Sequence, residues 1–456
     1  MRLTAVLLLA AATIATAHPW SGYHGDPQHT GRTDLAVGDS LGQAWSYLAG
    51  GDISGSPVVN DQGQVIFGAR DVHLYCINAD GTPAWDANLE SLGTSIYFSA
   101  PALDDSGNVY ITTDRKLVKV NPAGTVVWRY PEHSAWSISH SPVIGTDGKV
   151  YFAGYHDSLM AMNPDGSVAW AGYLGNSCNS APAIGLDGNI YIATTRGTGG
   201  WKLWAFEPGG DTAWTFPLAA GADFASPAVG PDSTIYVGAG RYVYAVSAAG
   251  ALRWRDSLTA QVSSCPAIAD DSTLYLTAGA YLYCLAADSG WRWRKSLGGS
   301  SNYSAPAVDG LGRVYIGSAA GTFYVIAPDS TVLWSSAYAD DIWSSPAIGP
   351  GGRVYFGCMD GNFYALAGDG LGIADGPAGA RPAGFILAPN PARGRVRLHV
   401  GTAGQLTGVT VRDVTGRRRE AVFDGAELDL TGLEPGVYLV EAEAGRSRVN
   451  AKLVLR

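Results

Sequence analysis

The sequence has few charged residues and lacks the residue spacings that mark common catalytic and metal sites. Charged residues make up 15% of the 456 positions. There is no nucleophile elbow, no phosphate-binding loop and no complete D-x-D-x-D-G calcium loop. His133 and His140 flank Trp136, but their spacing matches no metal motif. From these absences we expect no catalytic residue and no metal ligand set.

Cysteine is also scarce and scattered. The five cysteines have no Cys-x-x-Cys spacing and no adjacent pair, which excludes a disulfide framework and a cysteine-based zinc site: Cys76, Cys178, Cys265, Cys284 and Cys358. Cys76 and Cys284 occupy the same position of a repeat described below. We therefore interpret them as small buried apolar residues.

No apolar run reaches the about 18 residues of a membrane-spanning helix. The most apolar stretch follows Arg2, runs from Val6 to Ile14 and ends in Ala15-Thr16-Ala17. Such a pattern predicts a signal peptide over residues 1–17, cut before His18. No cysteine stands directly after the cut, where a lipid anchor would be attached, so we expect an exported chain that is neither lipid-anchored nor inserted in a membrane.

The charge is distributed unevenly along the chain. Residues 18–380 carry 17 Lys and Arg against 32 Asp and Glu, whereas residues 381–456 carry 12 against 8. An acidic main body argues against nucleic acid as a partner. The basic C-terminal part is expected to be a separate unit.

The chain does contain one unit repeated eight times. A small residue precedes a proline, which is followed by Ala or Val and a branched apolar residue. The prolines are spaced by 39 to 45 residues: Pro57, Pro101, Pro142, Pro182, Pro227, Pro266, Pro306 and Pro346. A β-rich period near 40 predicts a β-propeller with one blade per repeat.

Each repeat reads as four strands. Second strands such as Val109-Tyr110-Ile111 alternate β-branched and aromatic residues and follow Gly-containing turns. The fourth strand carries a tryptophan that is expected to pack between blades with its N–H on a backbone carbonyl. Eight tryptophans fit this role: Trp45, Trp85, Trp128, Trp170, Trp214, Trp254, Trp293 and Trp334. Because Trp45 precedes the first repeat and none follows Leu366, we expect the Trp45 strand to close an eight-bladed ring.

The stretch from Trp20 to Arg32 resembles the lead-in of pyrroloquinoline-quinone-like β-propeller repeat proteins. The Trp-bearing repeats also resemble that family over roughly residues 20 to 367. The resemblance allows an enzyme, a dehydrogenase with pyrroloquinoline quinone and calcium, in which Trp136 or Trp343 would be the stacking floor. Many such enzymes stack the quinone on adjacent cysteines, which this chain lacks, so the interpretation without a cofactor is preferred.

Beyond Leu366 the period stops. Residues 368–384 are expected to form a linker, and residues 385–456 a small immunoglobulin-like β-sandwich. Pro389-Asn390-Pro391, Asp413-Val414-Thr415-Gly416-Arg417, Leu433 to Tyr438 and the terminal Lys452 to Arg456 resemble the C-terminal sorting domain of type IX secretion cargo. They are also similar to flagellar-hook-cap-like immunoglobulin modules. The resemblance implies the type IX secretion machinery as a partner.

Residues three positions before the repeat prolines are the candidates for ligand binding. They are expected to surround one mouth of the channel, where aromatic and amide groups would bind a ligand. With Trp136, the proposed rim consists of Phe98, Asn179, Phe224, Tyr303 and Trp343; blade-to-blade packing is the alternative role.

The sequence thus predicts an all-β chain with a signal peptide (1–17), an irregular arm (18–40), an eight-bladed propeller (41–367), the linker and the sandwich. The predicted function is a secreted or cell-surface monomer, not an enzyme, that binds a protein, peptide or glycan. The alternatives are the quinone and calcium dehydrogenase and a periplasmic outer-membrane assembly scaffold.

Overall fold

The computed structural model describes most of the chain from Trp20 onward. The described residues are 20–38, 40–89, 91, 95–131, 140–154, 157–195, 200–299, 303–368, 385–388, 395–400, 406–413, 417–419, 421–423, 427–434, 436–444 and 447–455. The predicted signal peptide and nearly all of the predicted linker lie outside them, as does Trp136.

Eight four-stranded antiparallel sheets form the blades of a β-propeller, as predicted. In the first seven blades the strands run from the channel outward in chain order. Blades 1 to 4 are β2–β5 (Val58–Val59, Val65–Gly68, His73–Ile77, Pro83–Asn88), β6–β9 (Ala102–Leu103, Val109–Thr112, Leu117–Val120, Val126–Tyr130), β10–β13 (Val143–Ile144, Val150–Gly154, Ser158–Met162, Val168–Tyr173) and β14–β17 (Ala183–Ile184, Ile190–Ala193, Lys202–Phe206, Thr212–Pro217).

The remaining blades follow the same plan. Blades 5 to 7 are β18–β21 (Ala228–Val229, Ile235–Ala239, Tyr242–Val246, Leu252–Ser257), β22–β25 (Ala267–Ile268, Leu274–Ala278, Tyr281–Leu285, Trp291–Ser296) and β26–β29 (Ala307–Val308, Val314–Gly317, Thr322–Ile326, Val332–Ala337). Blade 8 contains β30 (Ala347–Gly349), a 3-10 turn (Pro350–Gly352), β31 (Arg353–Gly357) and β32 (Asn362–Gly368).

The N-terminal strand β1 (Leu41–Leu48) closes the ring as the outer strand of blade 8. It pairs antiparallel with β32, with Trp45 opposite Ala365 and Leu48 opposite Asn362. The circular offset of the tryptophans therefore predicted the closure correctly. Without β1 the outer edge of β32 in blade 8 would be unpaired and open to another chain.

The burial of each strand follows its distance from the channel. First strands are only two or three residues long, and the blades start with small residues because the chains converge there. Second strands such as β7 are buried throughout, whereas outer strands such as β21 alternate exposed and half-buried residues. A strand packed on both faces becomes uniformly apolar, and a strand with one solvent face alternates.

The C-terminal residues form two further four-stranded sheets. One contains β33 (Phe385–Ala388), β34 (Arg395–Val400), β37 (Val422–Phe423) and β38 (Glu427–Asp429), and the other β35 (Leu406–Asp413), β36 (Arg418–Arg419), β39 (Gly436–Ala444) and β40 (Ser447–Leu455). Val411, Tyr438 and Val440 of the second sheet are buried, as are Leu428 and Leu430 at the end of the first.

Within the part of the chain that the structure describes, no helix is long and apolar enough to cross a membrane.

Candidate functional site

Four aromatic rings meet across one end of the propeller channel. Phe98, Phe224, Tyr303 and Trp343 come from blades 2, 5, 7 and 8, and we call them the aromatic cap. Ring centroids lie 5.1 Å apart for Phe98 and Phe224, 5.0 Å for Phe224 and Tyr303, and 5.4 Å for Tyr303 and Trp343. The edge-to-face geometry of these pairs is the favoured one for aromatic side chains. The sequence predicts a ring of residues around a mouth, whereas the structure shows that their side chains close it.

The backbone holds two cap residues in an unusual conformation. Phe98 has a φ of 56° and Phe224 a φ of 58°, both in the left-handed region. For a residue with a bulky side chain this conformation costs about 1–2 kcal/mol. The surrounding blades must impose it, and the consequence is that both rings point across the channel.

A small polar cavity lies beneath the cap. The cavity has a volume of about 30 Å³, which leaves room for roughly two water molecules. Its walls include four serines of the innermost positions, Ser56, Ser141, Ser226 and Ser345. The end of the channel under the cap is therefore polar and nearly filled.

Two polar atoms at this cavity have no hydrogen-bond partner among the described residues: Nε2 of His140 and Oγ of Ser54. Both side chains are buried, and burial lowers the pKa of His140 to about 4. His140 is thus neutral at physiological pH, and its ring lies edge-on to Phe224 at 5.8 Å. A ligand or water hydroxyl would supply the missing partner.

The wall serines also join neighbouring blades. Ser141 Oγ accepts the N–H of Ala100 at 2.8 Å, Ser226 Oγ that of Ala181 at 2.9 Å, and Ser345 Oγ that of Ala305 at 3.0 Å. Ser56 Oγ accepts the N–H of Ser345 at 3.0 Å, across the join between blades 8 and 1. The serine of the repeat unit is therefore a structural hydrogen-bond acceptor between blades.

The N-terminal arm, residues 20–38, fills the opposite end of the channel. Backbone carbonyls of the arm accept N–H groups from the ends of first strands in six blades, at 2.7 to 2.9 Å; the donors are Val59, Leu103, Ile184, Val229, Ile268 and Val308. Trp20 anchors the arm and is 1% exposed. Tyr23 of the arm lines the cavity beneath the cap, together with Ser226 and Ser345. Both ends of the channel are therefore closed by the protein itself.

The arm carries titratable groups into the interior. His24 bonds to the carbonyls of His29 and Pro306 at 2.8 and 2.7 Å, and burial lowers its pKa. Burial and the neighbouring His24 lower the pKa of His29 to about 3. Burial raises the pKa of Asp26, which accepts from Thr30 through side chain and backbone. These groups anchor the arm in the channel, and we call residues 20–38 the plug. The lowered pKa keeps the buried imidazole of His29 neutral at physiological pH.

The other rim candidates do not join the cap. The side chain of Asn179 donates to Asp223 at 3.2 Å and does not line the cavity. The indole N–H of Trp343 donates to Asp341 at 3.1 Å, and Arg70 pairs with Asp52 at 3.1 Å. The acidic residues upstream of the cap are therefore tied to their neighbours.

The blade tryptophans lie between adjacent blades. Six of them donate the indole N–H to a turn carbonyl of the next blade at 2.7 to 3.0 Å: Trp45, Trp128, Trp170, Trp214, Trp254 and Trp293. Trp85 and Trp334 make no such bond with any described residue.

Sequence reasoning missed the plug and the unpartnered His140. The arm has no period that would place it, since its bonds use backbone carbonyls that any residue supplies. His140 stands directly before the repeat serine, and its distance from solvent depends on the cap above it.

One protein-family model matches the chain in four overlapping segments, residues 34–197, 115–241, 202–292 and 239–454. Its description is PQQ_2, outer membrane protein assembly factor BamB. A search of curated protein sequences finds no significant relative.

Several solved structures share the fold. BamB from Moraxella catarrhalis superposes with a TM-score of 0.59 at 17% identity, over 73% of this chain and 99% of that one. A europium-containing methanol dehydrogenase superposes with a TM-score of 0.63 at 12% identity, over 77% of this chain and 98% of that one. Quinohemoprotein alcohol dehydrogenase from Comamonas testosteroni superposes with a TM-score of 0.65 at 13% identity, over 83% of this chain and 84% of that one. At these identities the similarity establishes the propeller fold alone.

The residues beneath the cap do not fit a quinone with calcium. Calcium takes six to eight oxygen ligands that include carboxylates, whereas the described residues that line the cavity supply hydroxyl, aromatic and imidazole groups and no carboxylate. No group of three or more His, Cys, Asp or Glu side chains is placed to hold a metal within the described ranges. The space under the cap is also too small for a fused-ring cofactor.

Proposed function

Because this chain belongs to the PQQ_2 family of β-propellers, described as outer membrane protein assembly factor BamB, we propose that it is a non-catalytic binding scaffold that acts outside the cytoplasm. It recognises a protein, peptide or glycan at the capped mouth. The observation that carries the proposal is the aromatic cap, which closes the channel and presents half-buried rings at its mouth. Clustered aromatic side chains on a rigid ring are typical of recognition surfaces.

The surroundings of the cap favour recognition over catalysis. Asp52, Asp223 and Asp341 around the cap are engaged by Arg70, Asn179 and Trp343. Among the described residues beneath the cap no two titratable groups are placed as an acid and base pair, because those around His140 supply hydroxyls and aromatic rings. Contacts of the ligand with the rings and the acidic surroundings supply the affinity.

The test is binding by the mature chain and by a Tyr303→Ala, Trp343→Ala double variant, using a displayed random-peptide library and a glycan array as probes. Trp291→Ala is the control, since Trp291 is an exposed tryptophan on the outer strand of blade 6, 55% accessible. We expect the double variant to lose at least about 10-fold in affinity for the selected probe and Trp291→Ala to bind normally. Unchanged binding by the double variant would exclude the cap as the site.

We further propose that residues 385–456 are a sorting domain read by the type IX secretion machinery, which delivers the propeller to the cell surface or medium. The resemblance of the Pro389-Asn390-Pro391 and Asp413 to Arg417 segments supports this. The family description favours a second candidate, a periplasmic scaffold for outer-membrane assembly. Cell fractionation decides between them: a periplasmic mature chain that keeps its C-terminal residues contradicts secretion, and a surface or extracellular chain contradicts the scaffold.

A further inference from the structure

Blade 1 departs from the other blades at one core position. In the second strand of the other seven blades the residue opposite the first-strand Ala or Val is tyrosine. In six blades its ring packs on the tryptophan of the same sheet, with centroids 5.7 to 5.9 Å apart. In blade 1 this position is Ile66, opposite Val58. Isoleucine has no ring to place against Trp85.

Trp85 is also left with a free polar group. Its indole packs on the backbone of blade 2, where a Cβ on Gly124 would lie 2.9 Å from the ring. The same packing occurs at Trp128 and Gly166, but Trp128 donates its N–H to Pro164 at 3.0 Å. Trp85 donates to no described residue. Its N–H is thus open to a partner from outside the chain.

A cleft opens at this place between blades 1 and 2. It has a volume of about 230 Å³, and its walls include Asn60, Gln64, Ile66, Trp85, Asp105 and Pro122. It lies at the hairpin turns that follow the first strands, the end of the propeller away from the aromatic cap. The cleft and the cap are therefore separate sites.

The polar wall of the cleft is ordered before any ligand arrives. Asn60 Nδ2 donates to Gln64 Oε1 at 2.9 Å, and Gln64 Nε2 donates to Asn78 Oδ1 at 2.9 Å. Asn60 Oδ1 accepts the backbone N–H of Gln64, which fixes the turn. A chain of amides held in this way loses little side-chain entropy on binding.

The chemistry of the walls selects the ligand class. The walls offer the indole of Trp85 and the apolar Ile66 and Pro122, together with amides, the Ser106 hydroxyl and the carboxylates of Asp61 and Asp105. No Lys or Arg occurs among these described wall residues, so an anionic ligand has no counter-charge. Burial raises the pKa of the Cys76 thiol to about 12, so the cysteine is neutral.

We propose that this cleft binds one ring of a neutral sugar. A pyranose has an apolar C–H face that stacks on an indole, and hydroxyls that both donate to carboxylates and accept from amides. The cleft is smaller than the roughly 300–1,000 Å³ of pockets for drug-sized ligands, which suits a single ring. The site is additional to the function proposed for the cap.

Ile66→Tyr tests the proposal, because it fills the cleft with the residue that the other seven blades carry. The probes are methyl glycosides of neutral hexoses and of N-acetylhexosamines, measured by saturation-transfer NMR on the mature chain. We expect transfer from at least one glycoside, at least about 10-fold weaker binding in Ile66→Tyr and a melting temperature no lower than that of the parent. Asp105→Ala, which removes one carboxylate without filling the cleft, is expected to weaken binding about 10-fold.

Trp291→Ala, at the exposed tryptophan on the outer strand of blade 6, is the control and is expected to leave glycoside binding unchanged. Absence of transfer from every glycoside would overturn the proposal. It would also be overturned if Ile66→Tyr bound the glycoside as tightly as the parent, which is the result expected if the glycoside bound only at the cap.

Discussion

The indole N–H of Trp45 donates a 2.9 Å hydrogen bond to the carbonyl oxygen of Ala79. The tryptophan belongs to the outer strand of blade 8 and the carbonyl to a turn of blade 1. This contact joins the last blade to the first, in the same way that Trp214 joins blade 4 to blade 5 through Ala248. The seam of the ring is thus built like five of the other blade boundaries.

The seam is therefore expected to be as sensitive as an internal boundary. Trp45→Phe removes the N–H and should lower the free energy of unfolding by about 1 kcal/mol, and Trp45→Ala by about 3 kcal/mol. Trp214→Phe and Trp214→Ala are the matched controls, all measured by urea denaturation. If Trp45→Ala were neutral while Trp214→Ala was destabilising, β1 would not close the ring.

Phe98 should respond to glycine in an unusual way. Because its φ is positive, Phe98→Gly relieves backbone strain that Phe98→Ala retains. We expect the glycine variant to be more stable than the alanine variant by about 1 kcal/mol in denaturant titrations. At Trp343, whose φ is not positive, the order should reverse, since glycine there only adds unfolded-state entropy. The same order at both positions would contradict the strained cap.

Acid should destabilise the propeller through His140. The folded pKa is about 4 against about 6.5 when unfolded, so the unfolded chain takes up the proton first as the pH falls. Stability provided by the neutral ring is complete above pH 6.5 and is lost between pH 6.5 and 4. His140→Gln should make the dependence shallower by about 1.4 kcal/mol per pH unit in that window. Parallel curves for parent and variant would show that His140 titrates normally.

The plug should contribute to the stability of the whole ring. Trp20 is almost fully buried, and its carbonyl accepts the N–H of Val59 at 2.9 Å. Trp20→Ala is expected to cost about 3–5 kcal/mol, whereas Trp291→Ala, at an exposed tryptophan, should change stability by less than about 0.5 kcal/mol. Equal melting temperatures for the parent and Trp20→Ala would mean that the arm is not docked in the channel.

The sequence predicted the ring because its cause is periodic. Ala347 and Tyr355 face each other in blade 8, and the same pair of positions recurs about every 40 residues. The strands, the blades and the offset of Trp45 can therefore all be recognised in the sequence. Phe98 and Trp343 could be assigned to the mouth from their distance to a proline. The contact between their rings could not be predicted from the sequence, because it depends on the width of the channel and on the positive φ of Phe98.

Non-repeating features left weaker signals. The plug uses carbonyl groups of residues such as Pro27 and Gln28, which carry no pattern. Ile66 did leave a signal, as the one second-strand position without tyrosine, but its consequence is a cleft that only the packing of Trp85 on blade 2 makes visible.

The most direct test of the account is a titration of the mature chain with pyrroloquinoline quinone, with and without calcium, followed by calorimetry and absorbance. The small hydroxyl-lined cavity under the aromatic cap predicts no saturable binding in either condition. Saturable, calcium-dependent binding would contradict the account, because it would require the cap to open over a cofactor site and would make the protein a dehydrogenase.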